Sequence, residues 1–326
     1  MSTDDIIGVV IIGRNEGARL LKCLASIPAK IERIVYVDSG SADNSRQAAG
    51  AAGARVVELD MTRPFTAARA RNAGFAALAL GGPVDFVQFI DGDCILHPDW
   101  IEGAHAFLTE HPLAAVICGR RRELFPENSV YNRLCDQEWD TPVGRTSSCG
   151  GDALMRAAAF EEAGGFRDGM IAGEEPELCV RLRAAGWEIW RMDAEMTLHD
   201  AAIVNIRQWW RRTWRSGHAF AEGAALHGAP PERHSRAAVR RILIWGLVLP
   251  LCVLVLSAAV SGWFLGLLFV YPLQVFRLAL RGGAGKRASW ERAFFLVLGN
   301  FPEALGVLEY HWRRLVQKPA GIIEYK

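Results

Sequence analysis

Two carboxylates one residue apart, Asp91-Gly92-Asp93, directly follow Val87-Gln88-Phe89-Ile90. Oxygen donors at that spacing suit one hard divalent cation, with phosphate oxygens and water filling the remaining positions. Alone the pair is a weak signal, because solvated turns carry the same residues. A largely apolar strand that ends in carboxylates strengthens it. Asp38 ends Ile34-Val35-Tyr36-Val37 in the same way and opens the segment Ser39-Gly40-Ser41-Ala42-Asp43. Short polar residues around a glycine form a tight loop whose backbone can approach a flat ligand, and Asp38 can accept hydrogen bonds from a base or a ribose. An ordinary turn has the same composition. Arg69, Arg71 and Asn72 come next; a guanidinium aimed at the same place would meet a diphosphate, and otherwise these residues form a solvated helix face.

Such residues need a scaffold that brings them together. Ile6 to Ile12 is a continuous Val- and Ile-rich run, as expected for a strand buried on both faces. Asn15 and Glu16 lead into a helical stretch with Leu20, Leu21, Leu24 and Ile27 on one face. Residues 34–37 form a second strand, 45–52 a short helix, and 55–59 a third strand. Thr66 is the N-cap of an Ala-rich helix running to Leu80, and 84–90 is a fourth strand. This β-α-β-α-β-α-β spacing predicts a parallel sheet with helices on both sides, and ligands gather beyond the carboxyl ends of such strands. Asn15, Asp38 and Asp91 all lie at those ends. From 100 to 200 the pattern becomes mixed, with a helix after His97-Pro98-Asp99, strands at 114–119 and from Cys149 to Met155, a helix at 175–185 and an extended stretch at 187–190.

The chain has 326 residues, of which 51% are apolar and 22% charged, which excludes disordered, collagen-like and disulfide-stapled classes. Seven scattered cysteines, with no C-x-x-C, predict neither a disulfide framework nor a zinc knuckle. The net charge of +1 conceals two unlike halves: residues 1–200 hold 20 Lys+Arg against 30 Asp+Glu, and the rest hold 17 against 6. An acidic front and a basic, apolar rear predict a catalytic or cation-binding head on a membrane-facing tail. The first residues lack a basic segment followed by a long apolar run, so no cleaved leader is expected.

Gly228-Ala229-Pro230-Pro231 is the expected domain boundary, giving a head of residues 1–230 and a tail of 231–326. Residues 242–260 contain no charge and are long enough to cross a bilayer core. Ser261-Gly262 interrupts, and a second apolar run reaches from 263 to about 280. Arg233, Arg236, Arg240 and Arg241 precede the pair, and Arg277, Arg281, Lys286 and Arg287 follow it. Positive residues on both flanks predict a hairpin with both ends inside; two buried core helices or a re-entrant loop are the alternatives. Residues 290–316, with Glu303, Glu309 and a central Pro302, read as one interfacial amphipathic helix.

Taken together, these residues resemble the inverting glycosyltransferases of family 2, whose GT-A fold is a Rossmann-like mixed α/β sheet that binds nucleotide sugars. The resemblance runs from Val9 to about Gly217, with six motifs in the family's order. Val10-Ile11-Ile12-Gly13-Arg14-Asn15-Glu16 is similar to the opening strand, Val37-Asp38-Ser39-Gly40-Ser41 to the nucleotide loop, and Ala70-Arg71-Asn72-Ala73-Gly74 to the R-N-x-G helix. Asp91-Gly92-Asp93 is similar to the metal motif. Gly150-Gly151-Asp152 with Gly164-Gly165-Phe166 is similar to the acceptor-side segment, and Gly173-Glu174-Glu175-Pro176-Glu177-Leu178 to the E-D-x-D-L catalytic motif.

The resemblance implies roles. Asn15, Glu16, Asp38, Arg71 and Asp91 would bind the donor, with Asp38 on the base and Asp91 on the ribose or metal. Asp93, with Asp91 and His199, would hold Mn²⁺ or Mg²⁺ against the diphosphate. Glu175 falls where the family keeps an aspartate general base, one methylene longer, and Glu174 is the next candidate. Gly151 and Asp152 would face the acceptor. Gln208-Trp209-Trp210-Arg211-Arg212 resembles the Q-x-x-R-W element of processive synthases, with Arg212 in place of the tryptophan; Gln208, Trp209 and Arg211 are the acceptor-side residues it implies. An interfacial helix with tryptophans at headgroup level is a second reading of the same stretch.

The expected activity is metal-dependent, inverting transfer of a single sugar from a UDP- or GDP-type donor to a lipid-linked (polyprenyl diphosphate) saccharide. It would take place at the inner membrane, with the catalytic domain in the cytoplasm. The alternatives are a polyprenyl-phosphate glycosyltransferase, a processive polysaccharide synthase, and a non-catalytic nucleotide-sugar-binding subunit of a synthase complex. A nucleic-acid partner is disfavoured, since the basic half coincides with the apolar runs; a homo-oligomer is compatible with the sequence.

Overall fold

Strand β1 (Ile7–Gly13) lies in the middle of a nine-stranded sheet, its Val9, Val10 and Ile11 fully buried. The computed structural model describes residues 5–316. They form two compact units, the first taking in residues up to Glu127 and Cys135–Ala202, the second Asn128–Leu134 and Ile203 onward. The division comes earlier than the boundary near 230 read from the Gly-Ala-Pro-Pro segment.

In the first unit β1 pairs in parallel with β2 (Arg33–Asp38), which pairs with β3 (Arg55–Glu58); on its other side β1 pairs in parallel with β4 (Phe86–Asp91). Helices α1 (Ala18–Ala25), α2 (Ser45–Ala51) and α3 (Ala67–Ala79) make the crossovers. On α1, Leu20 and Leu24 are buried and so is Ile27 just beyond it, but Leu21 is 49% exposed and does not share their face. Thr66 caps α3 as expected, its Oγ1 accepting the Arg69 N–H at 3.0 Å. Gly74 lets α3 close on the sheet, since a Cβ there would meet Val10 Cγ1 at 2.3 Å.

Beyond β4 the sheet becomes mixed. After the short β5 (Cys94–Leu96) and α4 (Trp100–Glu110), β6 (Ala114–Glu123) runs to Glu123, four residues past the expected end. Helix α5 (Val130–Glu138) and β7 (Gly144–Thr146) precede β8 (Ala153–Arg156), which joins β4 and β6 antiparallel. Helices α6 (Ala157–Glu162) and α7 (Glu174–Ala184) then lead to β9 (Glu188–His199), far longer than the four extended residues expected. Strand β9 pairs in parallel with β6 and antiparallel with β5 and β7.

Two registers matter for the site. Gly13 sits opposite Asp38 and Ile12 opposite Asp91, so three strands end together. Cys94 sits opposite His199, which brings a residue more than a hundred positions away beside the Asp91-Gly92-Asp93 turn.

The second unit contains α8 (Ile206–His227), α9 (Arg236–Leu243), α10 (Leu249–Ala259), α11 (Val270–Gly282), α12 (Arg287–Leu298) and α13 (Asn300–Leu315). A π-turn at Ile244–Val248 joins α9 to α10 just before Pro250, which cannot donate to a helical carbonyl. The result is a helix over Arg236–Ala259, and a 3₁₀ stretch continues into α11 to give a second over Gly262–Gly282. Both are long and apolar enough to cross a membrane, and their most apolar windows are only 11% and 6% buried. Ser261 caps the turn between them, and the Tyr271 hydroxyl donates to the Trp245 carbonyl at 2.6 Å, tying one arm to the other.

Residues 290–316 form two helices broken at Gly299, not one. Pro302 lies in the first turn of α13, where no helical hydrogen bond is lost. Helix α13 packs directly on α8: a Cβ at Gly217 would meet Glu303 O at 2.0 Å, and one at Gly306 would meet Trp214 O at 2.1 Å. That backbone contact explains why α8 groups with the later helices.

Candidate active site

The carboxyl end of the parallel strands is organised by side chains of the loops themselves. Asn15, at φ 56°, receives its place from two bonds: its N–H donates to Ser41 Oγ at 2.9 Å, and its Oδ1 accepts the Ala42 N–H at 2.8 Å. Asn tolerates this left-handed backbone better than most residues. Asp38 Oδ2 accepts the N–H groups of Gly40 and Ser41 at 3.0 and 2.9 Å, and Oδ1 accepts the Tyr36 hydroxyl at 3.2 Å. Asp38 is buried, so it shapes the loop from beneath. Burial and the neighbouring Asp38 push the Tyr36 phenol up, which keeps it the donor. Glu16 pairs with Arg19 at 2.8 Å and lies against the Asp91-Gly92-Asp93 turn, since a Cβ at Gly92 would be 3.2 Å from its Cγ.

Arg71 is the hub of the mouth. One guanidinium nitrogen donates to Glu174 at 2.7 Å and Glu175 at 3.0 Å, the other to Asp91 Oδ1 at 2.9 Å. Its side chain is buried and engages carboxylates, whereas its place in the sequence predicts a guanidinium facing a diphosphate. Arg69 is likewise turned inward, onto the carbonyls of Asp60, Arg63 and Pro64. Asn72 clamps the loop after α6, donating to the Phe166 carbonyl at 2.7 Å and accepting its N–H at 2.9 Å.

A second arginine completes the cluster. Arg121, on β6, donates to Asp91 Oδ2 at 2.9 Å and to Cys94 Sγ at 3.1 Å, and its Nε lies 3.1 Å from Asp152. Both Asp91 oxygens therefore meet a guanidinium, and these two arginines hold its carboxyl below the usual range although burial pushes it the other way. Asp152 has no side-chain exposure: it accepts the Asp91 N–H at 3.1 Å and the Thr197 hydroxyl at 2.8 Å. It braces the Asp91 turn from behind. Gly151 is required for close approach, because a Cβ there would lie 2.5 Å from Arg71 Nη2 and 3.0 Å from Glu175 Oε1.

Helix α7 delivers Glu174 and Glu175 in its first turn. Gly173 starts it at φ 81°, a left-handed conformation that favours glycine. Glu177, fully buried, is gripped by Arg181 at 2.7 Å and Arg167 at 2.5 Å, which locks the helix to the preceding loop. Glu175 is 15% exposed. Burial first, then the charge of Glu174, pushes its carboxyl up to about 7, against the opposing pull of Arg71. A carboxylate titrating near neutrality can exchange a proton at working pH.

Asp93 sits beside His199, Oδ1 to Nε2 3.4 Å, and the Trp139 ring stands edge-on to His199 at 4.9 Å. Asp93, Cys94 and His199 each offer a donor atom, all within 4.8 Å of one another, and Asp91, Cys94 and Asp152 do the same. The donor set fits a divalent cation: the carboxylate oxygens suit Mn²⁺ or Mg²⁺, and an imidazole nitrogen beside them favours Mn²⁺ over the harder Mg²⁺. Burial keeps Cys94 a thiol, and Arg121 already bonds its sulfur, so oxygen and nitrogen would carry the ligation. The mouth also carries more carboxyl groups than guanidiniums, a field that favours a cation.

The structure thus brings together Asn15, Glu16, Asp38, Arg71, Asp91, Asp93, Gly151, Asp152, Glu174, Glu175 and His199 in the first unit. Gln208, Trp209 and Arg211 belong to α8 in the second. There Gln208 completes a capping box with Asn205, and Trp209 is buried against Phe295 at 4.9 Å between ring centres; Arg211 is exposed. The sequence reading missed Arg121, Thr197 and Trp139. Arg121 is the middle of three consecutive arginines, and only the alternation of a strand turns it inward while Arg122 points out.

A mixed sheet of this topology with a carboxylate-rich mouth at the ends of its parallel strands is that of the GT-A glycosyltransferase fold. Residues 8–160 match the family model described as Glycosyl transferase family 2. The chain is 25% identical over 251 residues to succinoglycan biosynthesis protein ExoA of Rhizobium meliloti, covering 71% of this chain and 75% of that one. It is 28% identical over 232 residues to pre-mycofactocin glycosyltransferase of Mycobacterium tuberculosis, 67% of this chain but only 47% of that relative. Among solved structures, the mannosyltransferase PcManGT from Pyrobaculum calidifontis, in complex with GDP-Man and Mn²⁺, superposes with a TM-score of 0.64 at 18% identity, over 94% of this chain and 88% of that one. Glucosyl-3-phosphoglycerate synthase of Mycobacterium tuberculosis, with Mn²⁺, UDP-Glc and phosphoglyceric acid, gives 0.50 at 21% identity, over 69% and 81%. Residues 8–160 thus carry a glycosyl transferase family 2 domain, and the chain is a glycosyltransferase.

Proposed function

We propose that this enzyme transfers a single sugar, with inversion, from a UDP- or GDP-sugar to a lipid-linked saccharide acceptor at the cytoplasmic face of the inner membrane. The observation that carries the reading is Glu175, a carboxyl titrating near 7 and tied through Arg71 to the Asp91 turn. Glu175 takes the proton of the acceptor hydroxyl as that oxygen attacks the anomeric carbon, and the nucleoside diphosphate leaves from the opposite face. One base and one direct displacement invert the centre, and no second nucleophilic carboxylate is needed.

The remaining residues follow from their geometry. Asp93 and His199 are the pair that would hold Mn²⁺ or Mg²⁺, which neutralises charge on the departing diphosphate. Asp91, both oxygens already met by arginines, orients Arg71 and Arg121 toward the same place. The base of the donor lies against the loop that Asp38 and Asn15 hold in shape, and Glu174 keeps Glu175 protonatable. Asp152 acts through Asp91 as a positioning residue, and Gly151 leaves the space beside Glu175 open to the acceptor.

The lipid-linked acceptor is supported by the two long apolar helices with their uncovered faces, Trp263 alone being 91% exposed. ExoA, by its name a succinoglycan biosynthesis protein, fits an acceptor in polysaccharide assembly. The test is turnover of a panel of nucleotide sugars with Mn²⁺ by the full chain, with and without a bacterial polyprenyl-linked lipid extract. One sugar added per lipid is expected. A polymer ladder would favour a processive synthase, transfer to polyprenyl phosphate alone a lipid-phosphate glycosyltransferase, and donor binding without any turnover a binding subunit.

A further inference from the structure

The second unit opens a cleft of about 1220 Å³ among α8, α9 and α13. Its walls are small and apolar, with Ala221, Ala224 and Ala225 on α8 and Val239, Leu243 and Ile244 on the arm that begins with α9. Its rim holds four arginines, Arg233, Arg236, Arg240 and Arg314, together with His311. Among the described residues no aspartate or glutamate lines it.

Several other arginines of this unit are matched with acids. Arg133 and Arg287 share Glu291, Arg241 bonds Glu303, and Arg313 bonds Glu309. Of the rim arginines, Arg236 makes a 3.4 Å bond to the Gly228 carbonyl, and all four are exposed. Four guanidiniums around an apolar floor describe a site for a phosphate attached to hydrocarbon. The position agrees: Arg240, Leu243 and Ile244 belong to the first turns of the Arg236–Ala259 helix, so the cleft passes from cationic rim to uncharged helix along one wall.

We propose that this cleft binds an anionic glycerophospholipid, the arginines taking the phosphate headgroup and the alanine-lined walls the first methylenes of its chains. The proposal rests on the membrane reading given under Proposed function. A bilayer supplies its own phospholipid at this depth in large excess over any other phosphate-headed lipid, so mass action fills the site with it. Each arginine near an anionic headgroup strengthens binding by about fivefold, so losing two weakens it by about 30-fold.

The experiment is native mass spectrometry of the full chain in neutral detergent, titrated with phosphatidylglycerol, phosphatidylcholine of the same chains, polyprenyl phosphate, or inorganic phosphate as competitor. One phosphatidylglycerol retained at least about tenfold more tightly than phosphatidylcholine is expected, with retention cut about 30-fold in the Arg236→Gln/Arg240→Gln variant. Should that variant fail to fold, Arg233→Gln/Arg314→Gln, on other elements, carries the same expectation. Equal retention of the two phospholipids, retention unchanged in the variants, displacement by millimolar inorganic phosphate, or preference for polyprenyl phosphate would each overturn the proposal. Alkaline extraction of native membranes keeps the two readings apart. A chain that stays in the pellet but lacks lipid preference refutes the cleft alone, and one that washes off refutes the membrane reading.

Discussion

Arg71 donates to Glu175 at 3.0 Å across 104 positions of sequence. The contact joins a helix of the first crossovers to the helix that carries the proposed base. It also leaves Glu175 in an unresolved contest between burial, the repelling Glu174 and the attracting Arg71, and from that contest the first expectations follow.

Glu175→Gln should lower kcat by about 10²–10⁴-fold while leaving nucleotide affinity near that of the parent. It should also stabilise the fold at pH 8. A carboxyl raised to about 7 in the folded chain binds more protons there than when unfolded, so its contribution is lost as pH rises from about 4.5 to about 7. The variant escapes that loss, about 3 kcal/mol at most. Melting temperatures at pH 8 and pH 4 check this: a gain at pH 8 that vanishes at pH 4 is expected.

The same group sets the pH dependence of rate. Turnover by the parent should climb through a limb near 7 and level off above it, as the carboxylate becomes the dominant form. In Glu175→Asp, one methylene shorter and further from Arg71, the limb should move. A profile flat from pH 5 to 9 in the parent would remove Glu175 from the role of base.

Asp93→Asn or His199→Ala should weaken Mn²⁺-dependent nucleotide binding by at least tenfold and leave metal-free binding unchanged, as read by titration calorimetry. Equal affinity with and without Mn²⁺ in the parent would contradict the cation site.

Arg71→Met removes the positive charge that three carboxylates share, and the uncompensated buried acids should cost about 3–5 kcal/mol of stability. Chemical denaturation measures it. A loss below about 1 kcal/mol would mean that the cluster is better solvated than its burial implies.

Gly151→Ala probes crowding at the centre of the site. Its methyl group would press on Arg71 and Glu175, so kcat should fall, and the melting temperature should fall with it because those side-chain ends are fixed in the buried ion cluster. Unchanged turnover would place the acceptor path elsewhere.

Much of this was legible in the sequence, and the parts that were not share a cause. Runs such as Val9 to Ile12, apolar throughout, and Phe86 to Ile90, apolar but for Gln88, announce buried strands, and the acids that follow mark the mouth. Thr66 announces its helix through a side-chain cap. Arg121 and Thr197 could not be read the same way: their roles arise from pairing between strands distant in sequence, as when Cys94 meets His199, and Trp139 reaches that histidine from the loop after α5. The resemblance predicts Asp152 facing the acceptor, yet it is enclosed, because a glycine pair followed by an acid looks alike whether the acid turns outward or in. A Pro-Pro segment after α8 predicts that this helix belongs to the head; the backbone contact at Gly217 and Gly306, which no periodicity reveals, groups it with the later helices.

The most direct measurement is a crystal or cryo-EM structure of the full chain with Mn²⁺ and a non-hydrolysable nucleotide sugar, the ion placed by its anomalous signal or density. The account predicts the cation on Asp93 and His199, touching the diphosphate, with the anomeric carbon turned toward Glu175. A cation bound elsewhere, or a sugar whose anomeric carbon faces away from Glu175, would contradict it.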